Sequence, residues 1–209
     1  MSSISPPGLL NVFEPGLLRG STQMGRKHYA YVEHPTEGWR VYLRSACFLH
    51  EEGSTDMIRF LVVKRTGSDP ATKAWEPPKG QMEGKDTTGG ALIERLGENI
   101  RREVSEEAKI DVLKGLRYTG LVVQSHEPDY PKGHYFQYHI FQAFVPSDEI
   151  HAATQEFAWY KKHPAAFARL RSDKKEKDDI TWFDPNRTKL MGKWSPSLVA
   201  LYLQNAGKL

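Results

Sequence analysis

Residues 91–110 read ALIERLGENIRREVSEEAKI, and this stretch decides the fold of the 209-residue chain. At about 100° per residue its apolar side chains fall on one stripe, which predicts a helix from about Ala91 to Lys109 that packs on the protein core. The stripe consists of Ile93, Leu96, Ile100, Val104 and Ala108. Gly97 is the weakest point of such a helix, because glycine costs about 1 kcal/mol relative to alanine.

Three carboxylates of the same helix point toward the buried stripe. Glu107 falls inside the stripe, Glu103 lies at its edge and Glu106 lies one step further round. Because crowded, buried carboxylates are costly, the cluster requires a cation, and Mg²⁺ or Mn²⁺ is the hard divalent metal that prefers oxygen ligands. A solvated acidic face paired with Arg101 and Arg102 is the alternative, and the position of Glu107 weighs against it.

Upstream of the helix, residues 75–86 read WEPPKGQMEGKD. Two prolines stiffen the backbone, Gly80 and Gly84 permit close approach of a ligand, and Lys79 offers a cation to phosphate. The segment is not a P-loop, because Gly80 and Gly84 are one residue too close and Asp86 stands where serine or threonine is needed.

The two segments together resemble the Nudix box, G-x5-E-x7-R-E-U-x-E-E-x-G-U with U apolar. The matching residues are Gly80-x5-Asp86 and then Arg102-Glu103-Val104-Ser105-Glu106-Glu107-Ala108-Lys109-Ile110. The resemblance implies an α/β fold of the Nudix type, an α/β/α sandwich around a mixed sheet. It also implies a pyrophosphohydrolase that cleaves a nucleoside diphosphate linked to another group, with Mg²⁺ or Mn²⁺ as cofactor.

By this resemblance Glu103 and Glu107 are metal ligands together with the backbone carbonyl of Gly80. Glu106 is either a further ligand or the base that activates water, and Arg102 orients a box carboxylate.

Many members of the family place another acid before a late strand, and Asp178 and Asp179 occupy that place. We assign Asp179 to the metal site by this resemblance. A solvated charge run is the alternative interpretation of these two residues.

The sequence departs from the box at three points. Asp86 replaces the loop glutamate, Lys109 replaces the box glycine, and fifteen residues instead of seven separate Asp86 from Arg102. Glu94 would restore the spacing, but on the helical wheel it points away from Glu103. We therefore favour Asp86 and interpret the eight extra residues as a loop insertion near 87–94 or as added helical turns.

Three functions are consistent with these motifs. Trp75-Glu76-Pro77-Pro78-Lys79-Gly80 is similar to the opening of animal-type diadenosine tetraphosphate hydrolases, which favours a dinucleoside polyphosphate as substrate. Pro-Lys-Gly also occurs in Nudix mRNA decapping enzymes, so capped RNA is the second candidate. The third is an inactive Nudix-fold module that binds RNA or protein, and the intact carboxylates argue against it.

Substrate contacts are expected from two further regions. Aromatic residues at 130–144 include candidates for stacking on a base, among them Tyr135, while Lys79 and Lys132 are candidates for phosphate contacts. Lysines between 161 and 177 could follow RNA phosphates, although a solvated loop explains them equally well.

Composition indicates a soluble, folded protein. The chain is 39% apolar and 26% charged with a net charge of +3, which is too weakly basic to imply nucleic-acid binding by itself, and DNA is not expected as a partner. Without a long apolar stretch or a signal-like start, we expect no membrane contact. The single cysteine, Cys47, lies in an apolar run and fits a buried thiol, so a cytoplasmic or nuclear location is expected.

The predicted domain spans residues 27–209, with a basic loop near 161–179. Strand-like runs begin at His28, and a final helix opens with Ser195 as N-cap and Pro196 at its first position. Residues 1–26 form an N-terminal extension that is either mobile or packed through Leu9, Leu10, Leu17 and Leu18. The oligomeric state is left open.

Overall fold

The computed structural model describes residues 8–25, 27–84 and 89–209. Its strands are β1 (Leu18–Met24), β2 (Lys27–Glu33), β3 (Arg40–Glu51), β4 (Leu61–Arg65), β5 (Trp75–Glu76), β6 (Lys79–Gln81), β7 (Lys114–Ser125), β8 (His134–Val145) and β9 (Lys177–Trp182). Its helices are α1 (Leu92–Ala108), α2 (Ser147–Lys162), α3 (Pro164–Ala168) and α4 (Trp194–Asn205).

A mixed six-stranded sheet forms the middle layer. Its strand order is β1-β2-β3-β8-β7 with β6 added to β3, and a smaller sheet has the order β5-β4-β9. Strands β3 and β8 run parallel, whereas β6 pairs antiparallel with β3. Successive side chains of a strand point to opposite faces, so both faces of β3 carry buried apolar residues.

Helices cover the central sheet on both sides. Helices α1 and α2 pack with Val41, Leu43 and Leu49 on one face, and α4 packs with Phe48 and other residues on the opposite face. The rings of Phe48 and Tyr202 stack with centroids 3.7 Å apart. The predicted α/β/α sandwich around a mixed sheet is confirmed.

Helix α1 has nearly the predicted limits. Four members of its apolar stripe are completely buried, and Ile93 is half-buried at the edge of the core. Glu94 is exposed and accepts a hydrogen bond from the backbone N–H of Ala91 at 3.3 Å, which closes the first turn. Glu94 therefore serves the helix end, as its position away from Glu103 on the wheel suggested.

The N-terminal boundary at residue 26 needs correction. Residues 18–24 are a strand of the central sheet, because β1 pairs with β2 along its whole length. Leu10 and Leu17 pack against the core, whereas Leu9 is 61% exposed and Leu18 is 51% exposed. Of the four leucines expected to pack if the extension is not mobile, two therefore do so.

The prediction of a basic loop at 161–179 is wrong. This region contains the end of α2, all of α3, a 3-10 turn at Asp173–Lys175 and the start of β9. Lys177 is 4% exposed and contacts buried carboxylates, so it has no access to RNA. The run of charged residues at 174–179 does not reveal that Lys177 belongs to a strand and points inward.

Helix α4 starts two residues earlier than predicted, at Trp194. Ser195 lies in its first turn and is buried, and its hydroxyl donates to the Glu76 carboxylate at 3.2 Å instead of capping the helix. Cys47 is completely buried, as predicted, and burial raises the pKa of its thiol. Among the described residues, no helix has the length and apolar character needed to cross a membrane.

We expect Gly97→Ala to stabilise the protein by about 0.5 to 1 kcal/mol, because alanine is the better helix former and loses less backbone entropy on folding. A methyl group at this position would meet only the Phe141 ring, at 3.9 Å, which is an ordinary contact. Urea unfolding of the variant and the wild type measures the change. A lower free energy of unfolding in the variant would contradict the unbroken helix.

Candidate active site

A small cavity of about 100 Å³ lies beside α1, β6 and β2. Charged side chains dominate its walls, and carboxylates outnumber cations among them. The residues that line it are Lys27, Tyr29, Lys79, Gly80, Gln81, Glu83, Arg102, Glu103, Glu106, Glu107, Asp173 and Glu176.

Helix α1 places three carboxylates at this cavity. The side chains of Glu103 and Glu106 are each 13% exposed, and that of Glu107 is 4% exposed. The predicted crowding of these groups toward the buried face is therefore present in the fold.

Arg102 is shared among the carboxylates. Its guanidinium lies 3.2 Å from Glu103 Oε1, 3.4 Å from Glu106 Oε2 and 3.6 Å from Glu83 Oε1. It also donates to Asn99 Oδ1 at 2.6 Å, and the buried Asn99 amide in turn donates to the hydroxyl of Ser45 at 2.6 Å. This chain of bonds fixes Arg102 against β3, which fits the orienting role expected for it.

Gly80 is required because Glu103 occupies the space of its missing side chain. A Cβ at Gly80 would lie 1.9 Å from the carboxyl carbon of Glu103, which no real contact permits. Gly80 also pairs with Ser45 in the ladder between β6 and β3, so its backbone is held in place. The close approach predicted for this glycine is a contact with Glu103.

Burial makes the carboxyl of Glu103 difficult to ionise. Its pKa rises to about 8, because burial and repulsion from Glu107 and Glu106 together outweigh the attraction of Arg102. Burial also raises the pKa of Glu106. For both groups the effect of burial on the pKa exceeds the attraction of Arg102.

Glu107 belongs to a separate ionic network with Glu76 and two lysines. Its Oε1 lies 2.8 Å from Lys177 Nζ, and its Oε2 accepts a hydrogen bond from the backbone N–H of Lys79 at 2.9 Å. Glu76 contacts Lys177 and lies 2.7 Å from Lys79 Nζ. Burial alone would raise the pKa of Glu76, but the two lysines outweigh it and lower that pKa to about 2.

The rest of the cavity carries more carboxylates than cations. Outside the network, the described residues that line it include five carboxylates (Glu83, Glu103, Glu106, Asp173 and Glu176) and two cations (Lys27 and Arg102), and Asp173 pairs with Arg171. A divalent cation would stabilise the ionised forms of these carboxylates, and carboxylate oxygens suit Mg²⁺ or Mn²⁺.

The donor set therefore fits the expected metal in chemistry and in charge. Within the described ranges, no three acidic, histidine or cysteine side chains already form a metal cluster. Glu103 and Glu106 would have to turn from Arg102 to bind a metal.

The structure places Asp179 and Asp178 away from this cavity, which corrects their assignment. Asp179 lies 2.6 Å from Lys161 Nζ, and Asp178 lies 2.5 Å from Lys64 Nζ. Each aspartate is thus paired with a lysine of a neighbouring element. The acids that line the cavity from this part of the chain are Asp173 and Glu176.

Two predicted substrate contacts are also elsewhere. Lys132 is exposed in the connection before β8, and Tyr135 packs against the core, so neither lines the cavity. Lys27 and Tyr29 on β2 line it instead, and no local motif marked them. Lys79 does line the cavity, with its ammonium bound to Glu76. Asp86 lies outside the described residues.

Lys109 explains how the 3-10 turn and Glu176 reach the site. It ends α1 in the left-handed conformation, with φ of 60°, at the position where the box has glycine. Its ammonium donates to the backbone carbonyls of Glu106 at 2.6 Å and of Lys174 at 2.5 Å. The lysine therefore joins α1 to the segment that carries Asp173 and Glu176, at a backbone cost of about 1 to 2 kcal/mol.

Comparison with known proteins identifies the family. A family model described as NUDIX domain matches residues 43–201, which is about three quarters of the chain. No curated protein matches the sequence closely enough to count as a relative.

Solved structures resemble the chain at low identity. A NUDIX hydrolase from Nitrosomonas europaea is 14% identical, with 78% of this chain and 89% of that chain covered and a TM-score of 0.44. The NUDIX domain of Shewanella oneidensis NrtR, complexed with ADP ribose, is 12% identical, with 83% and 93% covered and a TM-score of 0.46. A bifunctional NMN adenylyltransferase/ADP ribose pyrophosphatase from Francisella tularensis is 13% identical, with 80% and 42% covered and a TM-score of 0.41.

The pKa of Glu103 predicts a pH-dependent stability in the absence of metal. The folded protein keeps this proton up to about pH 8, whereas the unfolded chain loses it near 4.5, so stability falls as pH rises between those values. Glu103→Gln lacks this titration. In EDTA, we expect the difference in melting temperature between Glu103→Gln and wild type to shift in favour of the variant from pH 5 to pH 8.5. The shift should correspond to about 1 kcal/mol or more of stability.

The exposed Glu98→Gln on the same helix is the matched control, since the Glu98 side chain is 61% exposed. Its melting temperature should differ from that of wild type by a constant amount across this pH range. An equally constant difference for Glu103→Gln would contradict the raised pKa.

Proposed function

The chain belongs to the Nudix family, and from that premise we propose that it hydrolyses a pyrophosphate linkage in a dinucleoside polyphosphate, with Mg²⁺ or Mn²⁺ as cofactor. The family match confirms the predicted enzyme class, a Nudix pyrophosphohydrolase.

The observation that carries this proposal is the excess of carboxylates over cations around Glu103 and Glu106. These two side chains lie on consecutive turns of α1, are nearly buried and share Arg102 as their cation. They are the proposed metal ligands, with the backbone of Gly80 directly beside Glu103. A bound divalent metal would neutralise phosphate oxygens and lower the pKa of water.

The chain's own cations would orient the polyphosphate. Lys27 is exposed on β2 at the cavity and is the proposed phosphate contact, while Arg102 stays anchored through Asn99. If Glu103 and Glu106 turn to the metal, the guanidinium of Arg102, still held by Asn99, would stabilise charge on the transferred phosphoryl oxygens. Glu106, as the second proposed ligand, would help hold the metal that activates the attacking water.

Two features favour a dinucleoside polyphosphate over capped RNA as the substrate. The Trp75–Gly80 motif supports a dinucleoside polyphosphate, and its last two residues line the cavity. The lysine run that would have followed RNA loses support, because Lys177 is buried and Lys161 pairs with Asp179. Capped RNA is therefore an outcome for the assay to exclude.

We expect diadenosine tetraphosphate to be turned over faster than capped RNA, diphosphoinositol phosphates or ADP-ribose in the presence of Mg²⁺. Glu103→Gln and Glu106→Gln should each lower kcat by about 10²-fold or more, because both act on the charge of the transition state. Glu98→Gln is the control on the exposed face of α1. Near wild-type turnover by Glu103→Gln at saturating Mg²⁺ would remove it from the metal site.

A second variant tests the RNA alternative. Lys162 at the end of α2 and Lys174 in the 3-10 turn are both exposed. The double variant Lys162→Ala/Lys174→Ala therefore removes charge that RNA could contact. We expect turnover of diadenosine tetraphosphate to stay within about twofold of wild type, with the same salt dependence. Decapping would be favoured instead if the wild type turned over capped RNA faster than the dinucleotide and the double variant lost this capped-RNA turnover.

A further inference from the structure

We propose that Lys177 supplies, from within the protein, the positive charge that Glu107 would otherwise take from a metal. In this arrangement Glu107 is a positioning residue for the backbone at Lys79 and Gly80, and the metal is held by Glu103 and Glu106. The inference deepens the proposed function and rests on it.

Both carboxylate oxygens of Glu107 already have strong partners. Lys177 Nζ lies 2.8 Å from Oε1, and the Lys79 N–H donates to Oε2 at 2.9 Å. The side chains of Glu107 and Lys177 are 4% and 5% exposed, so water screens this pair very little. A metal bound to Glu107 would lie close to a buried ammonium and be repelled by it.

The network around Glu107 is neutral as it stands. Two lysines, Lys79 and Lys177, face two glutamates, Glu76 and Glu107, and the hydroxyl of Ser195 donates to Glu76 as well. The network therefore needs no added cation. On the other side of Gly80, carboxylates outnumber cations by five to two among the described residues that line the cavity.

The network also explains what Glu107 does for the site. Its hydrogen bond holds the Lys79 amide, and the next residue, Gly80, lies against Glu103. Lys177 comes from β9 and Glu76 from β5, so the network ties the smaller sheet to α1. Glu107 thus acts on the metal ligands through one residue of backbone.

Mn²⁺ binding, measured by electron paramagnetic resonance of the free ion, separates the two roles. Glu107→Gln keeps the volume and an oxygen that accepts the Lys79 N–H. We expect its Kd for Mn²⁺ to stay within about threefold of wild type, whereas Glu103→Gln should weaken binding by about tenfold or more. An equal loss of affinity in both variants would overturn the inference.

A metal-free measurement tests the pairing itself. Lys177→Met leaves Glu107 without its nearest cation, and we expect the melting temperature in EDTA to fall by about 10 °C. Adding Glu107→Gln to Lys177→Met should recover much of this loss, because the unpaired charge is then gone. Additive effects in the double variant would overturn the pairing.

The controls distinguish this inference from the proposed function. Lys161→Met breaks the exposed pair with Asp179 and should leave both the melting temperature and the Mn²⁺ affinity unchanged. Failure of the wild type to bind Mn²⁺ would overturn the proposed function. Wild-type binding that is lost in Glu107→Gln would overturn only the positioning role of Glu107.

Discussion

The hydrogen bond between the Lys79 amide and the Glu107 carboxylate joins the two halves of the site. It connects β6 to α1 in the core, and both of its partners line the cavity. Gly80 follows Lys79, and Glu103 precedes Glu107 by one helical turn. A carboxylate held this rigidly needs a buried countercharge, and Lys177 provides it.

The features of α1 that could be predicted from the sequence are those that helical periodicity determines. The limits of α1, its apolar stripe and the inward direction of Glu103, Glu106 and Glu107 all follow from a 3.6-residue repeat that tertiary contacts did not alter. Gly80 followed from the close backbone approach that glycine permits and from the family resemblance, whereas its contact with Glu103 depends on how α1 packs beside β6. The α/β sandwich followed from the family resemblance that these residues carry.

The parts that failed depend on contacts between distant segments. Lys27, Asp173 and Glu176 reach the cavity only through strand pairing and a turn, which no short motif encodes. Asp179 was assigned from its place before a strand, but its carboxylate pairs with Lys161 on α2. The charged neighbours of Lys177 predict a solvated loop or an RNA contact, whereas the alternation of β9 turns this lysine toward Glu76.

Lys109 has a consequence for consensus engineering of this protein. Replacing an unusual residue by the family's common one is a standard way to gain stability, and glycine would relax the left-handed backbone at the end of α1. The same exchange would remove the ammonium that ties Lys174 to Glu106, and with it the tether of the acidic segment that closes one side of the cavity. Lys109 therefore holds the acidic segment at the cavity. Replacing it by glycine would raise thermal stability and loosen the site at the same time.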